Sequence, residues 1–324
     1  MTDPLRDLIE GSDLAGLVRH VERLAREREW DGLVALRDRC REAVERGKQV
    51  WAPAEYAEYR LALDAPAGYA AAVVADGKGR YGPGPLWEVA ASTHTFAELD
   101  PLLEAPTVRA LVAHERAIRG EDVSGADIDP SIVPVPLRLE VWEPTYPVAV
   151  YGPDRADFPE TEGTSMTWTE LGGPAEREAD DGPADALLEL VRPWWEDSSG
   201  HAEAVQVRGD AFGAIRALGP RRVRIAEVPP DEALAVMVWA GASGGAHGRR
   251  RGTPVGRVNA WWAVAELLGY DEVPADTTEL GDELATLRWF RWDPGDRVGG
   301  WSLHLAVEDP EDGVAWALTA VDMR

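Results

Sequence analysis

The chain has 324 residues, 45% of them hydrophobic, and carries 33 Lys and Arg against 58 Asp and Glu, a formal net charge of −25. That length fits about two domains, and that hydrophobic fraction excludes a wholly disordered chain. A charge so negative excludes broad attachment to nucleic acid or to anionic membranes, because both carry the same sign.

Residues 1–125 read as α-helical. Asp13 is placed to cap a helix whose Leu14, Leu17, Val18, Val21 and Leu24 form one apolar stripe. Asp31 is expected to cap the next, with Leu33, Val34, Leu36, Cys40 and Ala43. Pro53 opens a third through Tyr56, Tyr59, Leu61 and Leu63, and a fourth follows Pro66. Residues 77–85 form a loop by composition, and helical spacing resumes over 86–91, 95–103 and 106–119. Short helices with short connections predict either an irregular bundle or HEAT-like helical layers.

Residues 126–200 change character. They hold 17 acidic and 4 basic residues, so about half of the net charge lies in under a quarter of the chain. With ten prolines, this stretch reads as an acidic, Pro-rich connector with edge strands, at 137–142 and 148–151. Helical spacing returns over 184–195.

Residues 201–324 read as an α+β domain. Strands are predicted over 204–208, 223–228 and 289–292. Helices are predicted after Asp210, from Asp231 to about Ala242, from Thr253-Pro254 to Gly269, and over 279–287. The end is an antiparallel β-hairpin, 301–307 and 314–321, turning at Asp309–Gly313. The fold class is therefore α+β: a mostly helical N-terminal half, then an α+β C-terminal half closed by the hairpin.

One stretch departs from the acidic background. From Ala233 to Ala265 there is no Asp or Glu, yet Arg249, Arg250, Arg251 and Arg257 are present. Glycines at 244, 245, 248, 252 and 256 let backbone N–H groups turn toward an anion. A helix starting at Thr253 adds unpaired donors, and arginine adds a planar fork. The candidate phosphate- or carboxylate-binding residues are Ser243, Gly244, Gly245, His247, Arg249, Arg250, Arg251, Thr253 and Arg257. The competing reading is internal: the arginines neutralise the chain's own acidic segment or final hairpin, and the small residues let two helices approach.

The sequence Ser243-Gly244-Gly245-Ala246-His247-Gly248, followed by an Arg/Gly-rich turn and a helix, resembles a segment of uncharacterised actinobacterial proteins. The resemblance covers about 239–265 and carries no activity with it. A composition of 31 Arg to 2 Lys fits the same origin.

Other constellations are weak. Ser243 and His247 stand four apart, but nothing in the spacing selects Asp271 or Asp293 as a third member of a triad. The six histidines show no metal-ligand spacing, and no cofactor is expected. Adjacent tryptophans at 194–195 and 261–262 diverge by about 100° on a helix, so one of each pair should leave the core. The lone Cys40 and the absence of an apolar leader point to the cytoplasm. The leading expectation is a non-catalytic interaction or regulatory protein binding a protein partner of basic character. The alternative is a small-molecule binder or enzyme using the 243–257 loop.

Overall fold

A computed structural model describes residues 4–76, 82–160, 163–173, 175–178, 182–274, 276–295 and 299–323. The chain is a mixed α+β protein, helical in its first half and closed by an antiparallel hairpin. It divides into one unit of Met1–Ile132 with Ala149–Asp157, and another of Val133–Val148 with Phe158–Arg324.

The first unit contains α1 (Pro4–Glu10), α2 (Leu14–Glu27), α3 (Trp30–Glu45), α4 (Trp51–Asp64), α5 (Ala67–Asp76), α6 (Leu86–Thr93), α7 (Phe96–Leu99) and α8 (Pro106–Ile118). Asp13 caps α2, its Oδ1 accepting from Gly16 N at 2.8 Å. Leu17, Val21 and Leu24 are buried along the stripe, whereas Leu14 is exposed. Helix α3 starts before Asp31, with Glu29 at the cap position. Asp31 therefore sits inside the first turn, where its charge still meets the positive end of the helix dipole. Thr95 and Glu98 form a reciprocal capping box on α7.

Helix α4 is the hub of this bundle and packs against α2, α3, α5 and α6. It is consequently buried on several sides and shows no single apolar stripe. A short hairpin, β1 (Val150–Tyr151) and β2 (Ala156–Asp157), belongs to the same unit. Of the 77–85 loop reading, residues 77–81 lie outside the described residues.

The second unit contains β3 (Thr167–Glu170), α9 (Pro183–Glu196), β4 (His201–Arg208), α10 (Ala211–Ala217), β5 (Arg222–Val228), α11 (Pro230–Ala242), α12 (Thr253–Leu267), α13 (Thr277–Leu284), β6 (Arg288–Asp293), β7 (Gly300–Asp309) and β8 (Val314–Met323). Its strands form one antiparallel sheet in the order β3-β5-β6-β7-β8-β4. Helix α10, capped by Asp210, covers one face with a core of Val207, Ile215, Ile225, Phe290, Ala306 and Ala317 among others. Helices α9 and α11 cover the other face, and α12 packs on both of them.

Cover on both faces explains why the hairpin's alternation fades. Ala306 and Glu308 are buried as well as Leu305 and Val307. Glu308 is tolerated there because its carboxylate accepts from Ala211 N at 2.9 Å and pairs with Arg288. The tryptophan pairs separate as helix geometry requires. Trp194 and Trp261 are fully buried, while Trp195 is half-buried and Trp262 exposed.

The strand expected over 137–142 does not form; the segment runs through turns. Its apolar residues dock instead of pairing. Trp142 stacks on Trp261 at 4.7 Å and donates from Nε1 to Thr277 O at 2.9 Å. The carbonyls of Pro136 and Arg138 are taken by a side chain, Arg257, so they are not free for a ladder.

Candidate functional site

The Gly/Arg loop connects α11 to α12. The two helices cross where glycine meets glycine: a Cβ added to Gly241 would lie 3.0 Å from Gly256 Cα. Ser243 caps the end of α11, is buried, and accepts from Gly245 N at 2.9 Å. The loop then doubles back tightly, and Arg251 N donates to Ala242 O at 2.8 Å. A Cβ on Gly244 would strike the Arg249 carbonyl at 2.1 Å, so the fold leaves no room for a side chain there.

The loop already holds an anion, and it is the chain's own. Ala246 N donates to Asp322 Oδ2 at 2.5 Å, and Asp322 is fully buried at the end of the final hairpin. Gly245 has φ +76, and a Cβ there would meet that same Oδ2 at 2.2 Å. Glycine is thus required twice, for the left-handed backbone and for the carboxylate's approach.

The arginines divide by depth. Arg257 is completely buried and grips Glu143 with two parallel bonds, Nε to Oε1 at 2.7 Å and NH2 to Oε2 at 2.6 Å. Two further donors go to Pro136 O at 2.6 Å and Arg138 O at 2.9 Å. Arg251 donates from Nε to Gly241 O at 2.9 Å, which satisfies a carbonyl near the end of α11. Its NH2 is buried with no hydrogen-bond partner among the described residues, and burial lowers its affinity for the proton. Arg250 stacks on Phe158 at 4.7 Å and donates to Thr253 Oγ1 at 3.2 Å. Thr253 is itself buried at the first position of α12, after Gly252 at φ +97. Arg249 and His247 are exposed.

No hydrogen bond among the described residues joins the His247 ring to Ser243; His247 is held through its backbone N–H by Ser198 Oγ at 3.2 Å. The carboxylate that the fold brings to this loop is Asp322, not Asp271 or Asp293. Sequence spacing gave no sign of it, because Asp322 arrives through the register of β7 with β8, opposite Trp301.

The helical unit holds a separate cavity of about 330 Å³ between the start of α4 and the β1–β2 hairpin. Two tyrosine hydroxyls fix its shape. Tyr59 Oη donates to Gly152 O at 2.7 Å, and Tyr56 Oη to Pro153 O at 3.3 Å. Behind them, Tyr151 meets Tyr59 edge-on at 6.4 Å and donates to the buried Glu88 at 2.6 Å. Burial, with Asp64 nearby, pushes the Tyr59 hydroxyl up to about 12, so it remains a donor at neutral pH. The rim carries Trp51, 40% exposed, with the carboxylates of Glu55 and Asp154 and the guanidinium of Arg155. Aromatic faces beside carboxylates attract a cationic group.

No helix among the described residues is long and apolar enough to cross a membrane. No group of three or more His, Cys, Asp or Glu among them is placed to hold a metal ion. Fold and sites together define a mixed α+β protein whose Gly/Arg loop receives the chain's own Asp322 on a backbone amide, and whose helical unit carries an aromatic notch with charged residues on its rim. The chain belongs to DUF6183, a family of unknown function whose model matches residues 15–324. Comparison with curated proteins and with solved structures gives no match.

Proposed function

We propose that this is a non-catalytic interaction or regulatory protein of the actinobacterial cytoplasm, and that it binds a protein partner of basic character. The observation that carries this reading is the Trp51–Tyr56–Tyr59 notch with Glu55 and Asp154 on its rim. A Lys or Arg side chain from a partner fits such a notch, its stem on the aromatic rings and its charge beside the carboxylates. Trp is the residue type most often found as an interface anchor.

Charge supports the same reading. Internal ion pairs remove one charge of each sign, so pairs such as Arg257–Glu143 leave the excess of −25 undiminished. A field of that sign accelerates encounter with a basic partner. The buried, lone Cys40 suits a reducing compartment, and the preference for Arg over Lys suits a GC-rich genome.

The alternative, an external anion at residues 243–257, has less to draw on. Arg257 is committed to Glu143, and the loop amide of Ala246 to Asp322.

The test is a pull-down at low salt with wild type, Trp51→Ala and Glu55→Gln/Asp154→Asn. A basic protein that elutes on raising the salt, and that both variants lose, supports the reading. Capture that is indifferent to salt and to both variants overturns it.

A further inference from the structure

The six-stranded sheet parts in the middle. The ladder between β6 and β7 ends at Arg291 opposite Leu305. Beyond that rung, β6 continues with β5 as far as Asp293 opposite Arg224. Strand β7 continues with β8 as far as Gly300 opposite Met323. A cleft of about 530 Å³ opens at the parting, within the size range of small-molecule sites.

Its lining is rich in donors. Arg224, Arg291, Ser302, His304 and Trp292 all line it, the two arginines from the α11 side of the parted sheet and Trp292 and His304 from the α10 side. Trp292 is 3% exposed, yet its Nε1–H has no acceptor among the described residues. Such an orphaned donor is costly unless something else accepts from it. His304 lies against the Trp292 ring at 4.6 Å, with Nδ1 held by Thr319 Oγ1 at 3.0 Å.

Two carboxylates near the rim, Asp293 and Glu232, are already engaged. Asp293 receives Arg224 through Oδ2 and Gly295 N through Oδ1, the latter at 2.6 Å. Glu232 receives Thr164 Oγ1 at 2.8 Å, Thr164 N at 3.2 Å and Arg291 at 3.2 Å. Each of the two ion pairs occupies one nitrogen of its guanidinium, and no other hydrogen bond of either fork is formed among the described residues. An occupant must therefore bring acceptors and little positive charge. The exposed Trp168 gives it an aromatic wall, which Gly295 and the stacked guanidinium of Arg222 at 4.7 Å hold in place.

We infer that this cleft binds a small organic oxyanion, a carboxylate or phosphate on a planar body, through Arg224, Arg291 and the Trp292 indole N–H. This site is separate from the notch of the helical unit, and neither depends on the other.

The probes are benzoate, phenyl phosphate and benzylamine, titrated into the full chain while the indole and imidazole resonances are followed by NMR. Trp292→Phe assigns the key indole signal and removes its N–H together with part of the ring. Saturable shifts of Trp292 and His304 with an anion at millimolar levels are expected, weakened about tenfold in Arg224→Gln. Benzoate alone identifies a carboxylate site, phenyl phosphate alone a phosphate site, and both a general oxyanion site. No saturable shift with either anion, equal affinity in Arg224→Gln and Trp292→Phe, or preference for benzylamine overturns the inference.

Discussion

Arg257 and Glu143 form a bidentate ion pair in which both side chains are completely inaccessible to solvent. Glu143 also accepts from Tyr146 Oη at 2.7 Å and Trp261 Nε1 at 2.9 Å. The pair ties the 133–148 segment to α12 and is the clearest answer to where the basic island's charge goes. Burial alone would raise the Glu143 carboxyl, but the bonds and charge of Arg257 outweigh it and hold it below the ordinary 4.5.

Removing one partner of this pair leaves the other charged in a dry site. Arg257→Met is expected to destabilise the second unit by about 3–5 kcal/mol, read from the midpoint of urea unfolding. Adding Glu143→Gln to Arg257→Met should recover part of that loss, because the stranded charge is gone. Because the folded carboxyl titrates below 4.5, the pair's contribution is present above that pH and is lost as pH falls through the folded value. A single variant with unchanged stability would show that the pair carries no such load.

His304 supplies a second pH dependence with its own window. Burial lowers its pKa from the ordinary 6.5 to about 4, with Asp293 opposing the shift. Between those values the unfolded chain takes up a proton that the folded chain refuses. Stability should therefore fall as pH drops from 6.5 toward 4, by about 3 kcal/mol over the whole window. His304→Gln should flatten that slope by the equivalent of one proton, measured by urea unfolding at closely spaced pH values.

Much of this fold is legible in local pattern. The α2 stripe, the Asp13 and Asp210 caps, the apolar α11 and the final hairpin each follow from periodicity and turn chemistry. What pattern does not carry is the long-range pairing. The 137–142 segment alternates like a strand, yet Arg257, more than a hundred residues later, takes its carbonyls. Asp322 reads as a hairpin-end residue until the sheet register brings it under Gly245. The aromatic notch was hidden for the same reason: Tyr56 and Tyr59 fit a helix's apolar face, and the hairpin that meets them is nearly a hundred residues away.

Cys40 sits fully buried in α3, and burial pushes its thiol up to about 11. A thiol so protected is neither ionised nor reachable at neutral pH. Alkylation by iodoacetamide should be negligible in the native protein and complete in denaturant. Rapid native labelling, followed by mass spectrometry, would contradict the packing of the α3 core.

The crossing of α11 and α12 leads to the sharpest stability test. A Cβ on Gly256 would lie 2.2 Å from Val238 O and 2.7 Å from Ala242 N, both backbone atoms that cannot step aside without moving a helix. Gly256→Ala should therefore cost about 1–3 kcal/mol or more, although alanine favours helices intrinsically. Gly245→Ala combines a left-handed φ of +76 with a clash on Asp322 Oδ2, so it should destabilise too and loosen the loop. Gly68→Ala, in α5 with nothing within 4 Å of the added methyl, is the control and should stabilise slightly. Thermal unfolding of the three variants separates the cases. If Gly256→Ala melts like Gly68→Ala, the two helices do not approach as closely as their glycines allow.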